Sequence, residues 1–410
     1  MSGAGTLVVG AGQTGLELAV ALRGADPARG ITLVGAETHP PWQSQPLSKG
    51  VLSSDVAADA LSLRSAQFYA EQRIDVVTGD RVVRLDHSAS GGVAHTALGR
   101  SLPYAQLALT TGARARQLRV PGADRAGVVT LRELGDARRL RHALEHAREI
   151  VVVGGGFIGL EVAAAAYDRG VRVCLVETGD RLVGQAVGEP MARFYADAHR
   201  RRGADIRLCR QVVEVTGSGD EVDGVRLDDG SHVPAQLVVV GIGVIPRTEL
   251  AESIGLRCDH GVVVDEFCRT SDPAVVAAGD NCVFPDPRTG HGLVRLQSVQ
   301  NSVDQARVAA STLAGAPAPY RGLPRFWSDQ GDLHLQIAGL STGHDQAVTR
   351  GDVDAEQFTV LYYRAGRLIA VEAVNRVADY SAGRLALSRG LTISPERAAD
   401  PATKLKDLLS

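Results

Sequence analysis

The stretch Val151–Glu177, VVVGGGFIGLEVAAAAYDRGVRVCLVE, decides the reading of this 410-residue chain. An apolar run, a glycine turn, an alanine-rich run and a second apolar run ending on an acid describe a buried strand, a helix and a parallel strand. Gly154, Gly156 and Gly159 stand at G-x-G-x-x-G spacing. That spacing lets the backbone turn tightly, approach a pyrophosphate and pack the helix on the sheet. The helix, opening at Phe157 and Ile158, then turns its N-terminal N–H groups toward the phosphates. Glu177, at the tip of the second strand, is placed to accept hydrogen bonds from an adenosine ribose. A 2′-phosphate would meet a like charge there, so NADH is expected over NADPH.

Glycine turns of this kind also occur for packing alone, but this chain repeats the pattern. Thr6–Arg23, TLVVGAGQTGLELAVALR, carries Gly10, Gly12 and Gly15 at the same spacing, and the following ITLVGAE ends at Glu37. Two dinucleotide sites imply two ligands, FAD held permanently and NADH transiently. His39–Leu52, HPPWQSQPLSKGVL, with three prolines and an exposed-looking Trp42, reads as a surface loop with a short helix opening near Pro46. Its Lys49 stands out, because the only other lysines are Lys404 and Lys406 in a polar tail. Against a flavin, Lys49 would stabilise the negative charge of the reduced ring.

Further along, Leu61–Ala70 has a helical pattern, and strands are expected around Val76–Leu85 and over Leu102–Ala113. The second of these runs into Thr110, Thr111 and Gly112, where a glycine lets the chain swing across a cofactor edge. Arg119–Asp124 reads as a turn linking domains, Leu131–His146 as a helix with Arg132 near its start, and Arg200, Arg201 and Arg202 as a solvated face. Val212–Val215 and Val222–Leu227 with the Asp228-Asp229-Gly230 turn form a meander, and Leu237–Val240 is a buried strand. Gly241-Ile242-Gly243 resembles another phosphate loop but runs into Pro246, so it reads as the strand that returns the chain to the first domain. Thr270–Asn281 is a short strand ending in Gly279-Asp280, where the acid can accept from a ribityl hydroxyl. Val294–Ala310 is a helix whose N-terminus points at the flavin. LHLQIAGL, FTVLYYRAGRLIAVEAVN with its Ala365-Gly366 turn, and a helix from Val377 to Leu387 make a third, antiparallel domain.

A net charge of −3 gives no reason to expect nucleic acid or an anionic membrane as partner. No run reaches a transmembrane length and no signal peptide is discerned, so a cytoplasmic protein is expected. Cys174, Cys209, Cys258, Cys268 and Cys282 show no C-x-x-C pairing. Metal ligation and dithiol chemistry are therefore not expected, and the cysteines read as buried small apolar residues.

Taken together and in order, TLVVGAGQTGLELA, QPLSKGVL, LALTTGA, RVPGAD, VVVGGGFIGLEVAAAA, LVVVGIGVIP, TSDPAVVAAGDN, RLQSVQN and PRFWSDQGDLHLQIAGL resemble a family. It is that of the FAD-containing, NADH-dependent ferredoxin reductases serving bacterial cytochrome monooxygenases and aromatic-ring dioxygenases, of the putidaredoxin reductase type. The resemblance implies an α/β fold with two Rossmann-like, glutathione-reductase-like nucleotide-binding domains and a C-terminal α+β domain. The expected boundaries are 1–112 with 242–318 for FAD, 113–241 for NAD, and 319–410 for the third domain.

By the same resemblance, Gly10, Gly12, Thr14, Gly15, Ala36, Glu37 and Val82 would hold the ADP half of FAD. Lys49, Thr111, Gly112, Arg132, Gly279, Asp280, Val299 and Trp327 would surround the riboflavin half. Gly154, Gly156, Phe157, Ile158, Gly159, Glu177 and Gly243 would bind NAD, while Glu161 would lie near the nicotinamide and pair with Lys49. Ser44, Gln45, Thr110, Arg247, Gln297 and Gly331 depart from the family pattern.

The implied reaction passes a hydride from NADH to FAD and single electrons to a [2Fe–2S] ferredoxin, steered by arginines such as Arg64 and Arg307. An NADH oxidase, a flavin reductase with another acceptor, and an NADH-sensing flavoprotein remain open on the same fold.

Overall fold

The computed structural model describes residues 5–43, 45–48, 50–53, 61–184, 186–286 and 292–409. They form two compact units, one of residues 1–43, 57–114 and 245–322, the other of 44–56, 115–244 and 323–410.

The first unit is built on a five-stranded parallel sheet in the order Val275–Ala277, Gln106–Leu109, Thr6–Val9, Ile31–Val34, Ile74–Val77. Alternation along the central strand sends Val8 to one face and Leu7 and Val9 to the other. On the Val8 face, helices Gln13–Ala25 and Val299–Leu313 close the core through Leu16, Leu18, Ala19 and Leu22 with Ala306, Ala309, Ala310 and Leu313. On the other face lies an antiparallel meander, Val82–Ser88, Gly91–Thr96 and Ser101–Tyr104, with Val82, Leu85 and Tyr104 in the core.

In the second unit the parallel sheet runs Asp205–Arg207, Arg172–Val176, Glu149–Val153, Leu237–Val240, Val128–Thr130. Helix Phe157–Tyr167 buries Gly159 to Ala166 without a break, as an apolar helix enclosed on most sides must. The expected meander is present as Val212–Ser218, Glu221–Leu227 and His232–Pro234. An antiparallel sheet, Arg325–Gln330, Leu333–Gly339, Arg367–Val374, Gln357–Arg364, Gln346–Asp352, carries helix Val377–Arg389. Its Ala365-Gly366 turn takes positive φ at both residues, as a tight hairpin of this hand requires.

Several local expectations change. Trp42 is 8 % exposed, because its indole Nε1 donates to Glu37 Oε2 at 2.7 Å and its backbone bridges to Ser62. Helix in Leu61–Ala70 is confined to Ala66–Glu71, started by Ser65, whose hydroxyl accepts from the Phe68 N–H. The expected strand Val76–Leu85 is two strands, broken where Gly79 turns at φ +68°. Leu102–Ala113 also divides at Ala105, its halves joining the meander and the parallel sheet.

Arg200 and Arg201 are exposed as expected, Arg201 reaching Glu356 from the surface, but Arg202 is half-buried, binding Glu356 and reaching Asp332 at 2.8 Å. Those contacts hold the Glu356 carboxyl down to about 2, the Arg202 hydrogen bonds contributing most. Cys174, Cys268 and Cys282 are buried as expected, but Cys209 is exposed and Cys258 half-buried. All five are free thiols. Among the described residues no helix is long and apolar enough to cross a membrane.

Candidate functional site: two glycine cradles and a buried acid

In the first unit the glycines are required by close backbone approach. Gly10 has φ +114°, and a Cβ there would lie 2.1 Å from the Thr110 carbonyl oxygen. A Cβ on Gly15 would stand 2.0 Å from Gly10 O. Gly12 differs: it caps helix Gln13–Ala25 with no side-chain hydrogen bond, and its Cβ would meet no atom within 4 Å. The turn therefore presents helix N–H groups and open space, a fit for a phosphate.

Thr14 packs on Gly279, whose Cβ would fall 2.5 Å from Thr14 Oγ1, and Gly279 N donates to Gln305 Oε1 at 2.7 Å. Thr110, a departure from the family pattern, donates to Val9 O and Gly10 O and so sews the turn to its strand. Thr111 Oγ1 donates to Arg247 O at 2.7 Å, Arg247 N–H returns to Gly112 O at 2.9 Å, and Gly112 has φ +64°. Gly10, Gly12, Thr14, Gly15 and Gly279 thus surround one strand end.

Of the other candidates in this unit, Ala36 is exposed, Glu37 holds Trp42, and Asp280 is half-buried after Gly279. Val82 opens the meander, paired with Thr96. Val299 begins its helix behind the Ser298 cap, which accepts from Asn301 N–H. Arg64 and Arg307 are exposed, Arg64 lying over the Phe68 ring.

The second cradle repeats the geometry. Gly154 has φ +104° and a Cβ position 2.5 Å from Gly241 O, Gly159 one 2.2 Å from Gly154 O, and Gly156 opens on empty space before helix Phe157–Tyr167. Gly243, with φ +91°, is equally open. Glu177 is not free at its strand tip: Oε2 accepts from Gly155 N–H and Oε1 from Gly179 N–H, both at 2.6 Å. A carboxylate has about four lone-pair sites, so capacity for ribose hydroxyls remains. Phe157 stacks on Phe326 with ring centres 4.4 Å apart, while Ile158 is 42 % exposed.

Glu161 lies one turn into that helix and is 3 % exposed. Ser328 Oγ donates to its Oε1 at 2.6 Å, and Ser48 Oγ donates to Oε2. Ser48 immediately precedes Lys49, which lies outside the described residues, as does Ser44. Arg132 is half-buried, its N–H donating to Asp136 Oδ2 at 3.0 Å. Trp327 lines an open groove with His334, Asn375 and Val377. Gly331 turns at φ +63° between two strands of the antiparallel sheet, a conformation that suits glycine.

Sequence reading missed Ser48, Ser328, Gln330, His199 and Glu372. A signal was present: alternation puts polar Ser328 and Gln330 on the same strand face as Phe326, the face that packs on the cradle helix. Glu372 is fully buried, accepting from Gly188 N–H at 3.0 Å and from the Tyr362 hydroxyl at 2.6 Å, and burial pushes its carboxyl up to about 7. One exposed group, His142, Glu145 and His146, brings three potential metal ligands within 4.8 Å of one another.

Residues 5–309 match the model of the pyridine nucleotide-disulphide oxidoreductases, and residues 325–409 that of the reductase C-terminal domain. The chain belongs to the pyridine nucleotide-disulphide oxidoreductase family. Within it, the sequence is 43 % identical to rhodocoxin reductase of Rhodococcus erythropolis over 98 % of this chain and 93 % of that one. Its fold superposes on a ferredoxin reductase from Rhodopseudomonas palustris with a TM-score of 0.95 at 41 % identity, covering 99 % of each chain. The reductase of the covalent putidaredoxin reductase–putidaredoxin complex gives 0.93 at 36 %, over 99 % of this chain and 98 % of that one. The α/β fold with a C-terminal reductase domain follows. Despite the family's name, no dithiol is formed by the five free cysteines, and burial pushes the Cys174 thiol up to about 12.

Proposed function

We propose that this chain is a cytoplasmic, FAD-dependent NADH:ferredoxin oxidoreductase with three domains: an FAD domain of residues 1–112 and 242–318, an NAD domain of 113–241, and a C-terminal domain of 319–410. One observation carries the reading: both glycine cradles open before an uncapped helix N-terminus, in a chain that matches reductases of this kind from end to end.

Gly10, Gly12, Thr14 and Gly15 would hold the FAD pyrophosphate, Ala36, Glu37 and Val82 its adenosine half. Thr111, Gly112, Gly279, Asp280, Val299, Lys49, Arg132 and Trp327 would hold its riboflavin half. FAD, when bound, supplies the conversion of a two-electron donor into single-electron transfers. Gly154, Gly156, Phe157, Ile158, Gly159 and Gly243 bind and orient NADH. Glu177, already held by two backbone N–H groups, accepts from the ribose and rejects a 2′-phosphate. Glu161 is a fixed acceptor beside the nicotinamide and a partner for Lys49. Arg64 and Arg307 are candidates for steering an acidic [2Fe–2S] ferredoxin.

The test is anaerobic mixing of the yellow holoprotein with NADH or NADPH, then with ferredoxin or oxygen. Fast bleaching by NADH, at least about tenfold slower bleaching by NADPH, and electron delivery to ferredoxin ahead of oxygen are expected. Efficient delivery to oxygen alone would make the protein an oxidase. Slow turnover with every acceptor would make it a sensor.

A further inference from the structure

A run of buried polar side chains ends on Glu161, and the chemistry of its members fixes the direction of each hydrogen. Gln330 Oε1 can only accept, so its 2.8 Å contact with His199 Nε2 makes that nitrogen the ring N–H. His199 Nδ1 is then the acceptor for the Tyr167 hydroxyl, 3.4 Å away. Gln330 Nε2 donates to Ser328 Oγ at 3.1 Å, which leaves the Ser328 proton for Glu161 Oε1 at 2.6 Å. Ser48 donates to the other carboxylate oxygen.

His199, Gln330, Ser328 and Glu161 are each no more than 3 % exposed. Burial lowers the His199 pKa, which favours the neutral ring, and the Gln330 acceptor selects its tautomer. Every donor in the run therefore points toward Glu161, and hydrogen bonds aligned in one direction polarise one another. Three elements supply it: helix Phe157–Tyr167 brings Glu161 and Tyr167, helix Glu189–Arg201 brings His199, and strand Arg325–Gln330 brings Ser328 and Gln330. Apolar side chains would pack these positions without needing any partner.

We infer that Ser328, Gln330 and His199 are positioning residues for the NADH-dependent step, holding the Glu161 carboxylate in one orientation as an acceptor at both oxygens. This deepens, and rests on, the proposed assignment of the second cradle to NADH and of Glu161 to the nicotinamide. Tyr167 completes the run at its far end.

The experiment is rapid-mixing reduction of the holoprotein's flavin by NADH in Ser328→Ala, Glu161→Gln and the double variant. Each single change is expected to slow reduction about tenfold, with the apparent NADH affinity changed less than about twofold. The double variant should be no slower than the slower single, because Ser328 acts only through Glu161. Ser328→Thr, which restores the hydroxyl, should recover the rate to within about threefold.

A second readout does not depend on turnover. Histidine ring NMR should show His199 neutral and protonated at Nε2 with slow proton exchange, and Gln330→Met should speed that exchange. Multiplied losses in the double variant, or a His199 ring protonated at Nδ1, would overturn the inference. If NADH reduces wild type and Ser328→Ala alike, the inference alone falls. If NADH does not reduce the wild type, the assignment of the cradle falls and takes the inference with it.

Discussion

The helices that follow the two glycine cradles rest on different materials. Helix Gln13–Ala25 packs Leu16, Ala19 and Leu22 on the alanine and leucine face of Val299–Leu313. Helix Phe157–Tyr167 is just as buried, yet carries Glu161 among its alanines and meets Ser328, Gln330 and His199. The turns themselves are nearly superimposable in kind, with the same positive φ at Gly10 and Gly154 and the same open caps at Gly12 and Gly156. Glycine spacing therefore dictates the backbone, while the chemistry offered behind it is set by what packs on the helix.

The largest effect should come from breaking what the cradles share. Gly10→Ala and Gly154→Ala each force a Cβ to within 2.5 Å of a carbonyl oxygen at positive φ. Each is expected to lose roughly 3 kcal/mol or more of stability, read as a lowered denaturant midpoint. Wild-type stability in either variant would show that the turns are not equivalent.

The next effect is a pH dependence set by two acids of the second unit. Glu372 ionises at about 7 in the folded protein instead of near 4.5, because burial penalises its charge. The folded state thus keeps this proton when the unfolded chain has lost it. Its stabilisation is full below about pH 4.5 and fades as pH rises through about 7, on the order of 3 kcal/mol in all. Glu372→Gln should flatten that slope in denaturation at a series of pH values. Glu356 has the opposite sign: held down to about 2 chiefly by Arg202, its contribution is present above about pH 4.5 and lost as pH falls through about 2. An unchanged slope in Glu372→Gln would remove that group from the comparison.

Smaller changes sharpen the contrast between the two strand-end acids. Glu177→Ala strands the N–H groups of Gly155 and Gly179 and should cost about 2 kcal/mol, with weaker discrimination against NADPH. Glu37→Ala loses the Trp42 bond and should cost about 1 kcal/mol. Equal losses would mean the two acids do the same structural work. Smallest of all, Gly12→Ala and Gly156→Ala project into open space and should alter stability by no more than about 0.5 kcal/mol, while lowering the affinity for FAD and NADH respectively in equilibrium titrations.

The backbone of both cradles was legible because three glycines at fixed spacing leave few alternatives, and the hairpin at Ala365-Gly366 because a glycine turn lies between two strand-like apolar runs. What escaped was set by tertiary packing. Trp42 looked exposed among prolines because nothing local shows that Glu37 takes its indole N–H. Arg202 looked solvated because Glu356 and Asp332 lie more than a hundred positions away. His199 could be paired with Gln330 only once a helix and a strand were placed side by side. Inward-facing serine and glutamine on a strand were the one local hint, since buried polar groups need partners.

The most direct measurement is a single-turnover titration: the holoprotein is reduced anaerobically with one equivalent of NADH and mixed with excess [2Fe–2S] ferredoxin, and reduced cluster is counted. About two reduced ferredoxins per NADH, formed faster than a parallel sample reacts with oxygen, is the expected result. Reoxidation by oxygen with no reduced ferredoxin would contradict the assignment of the acceptor.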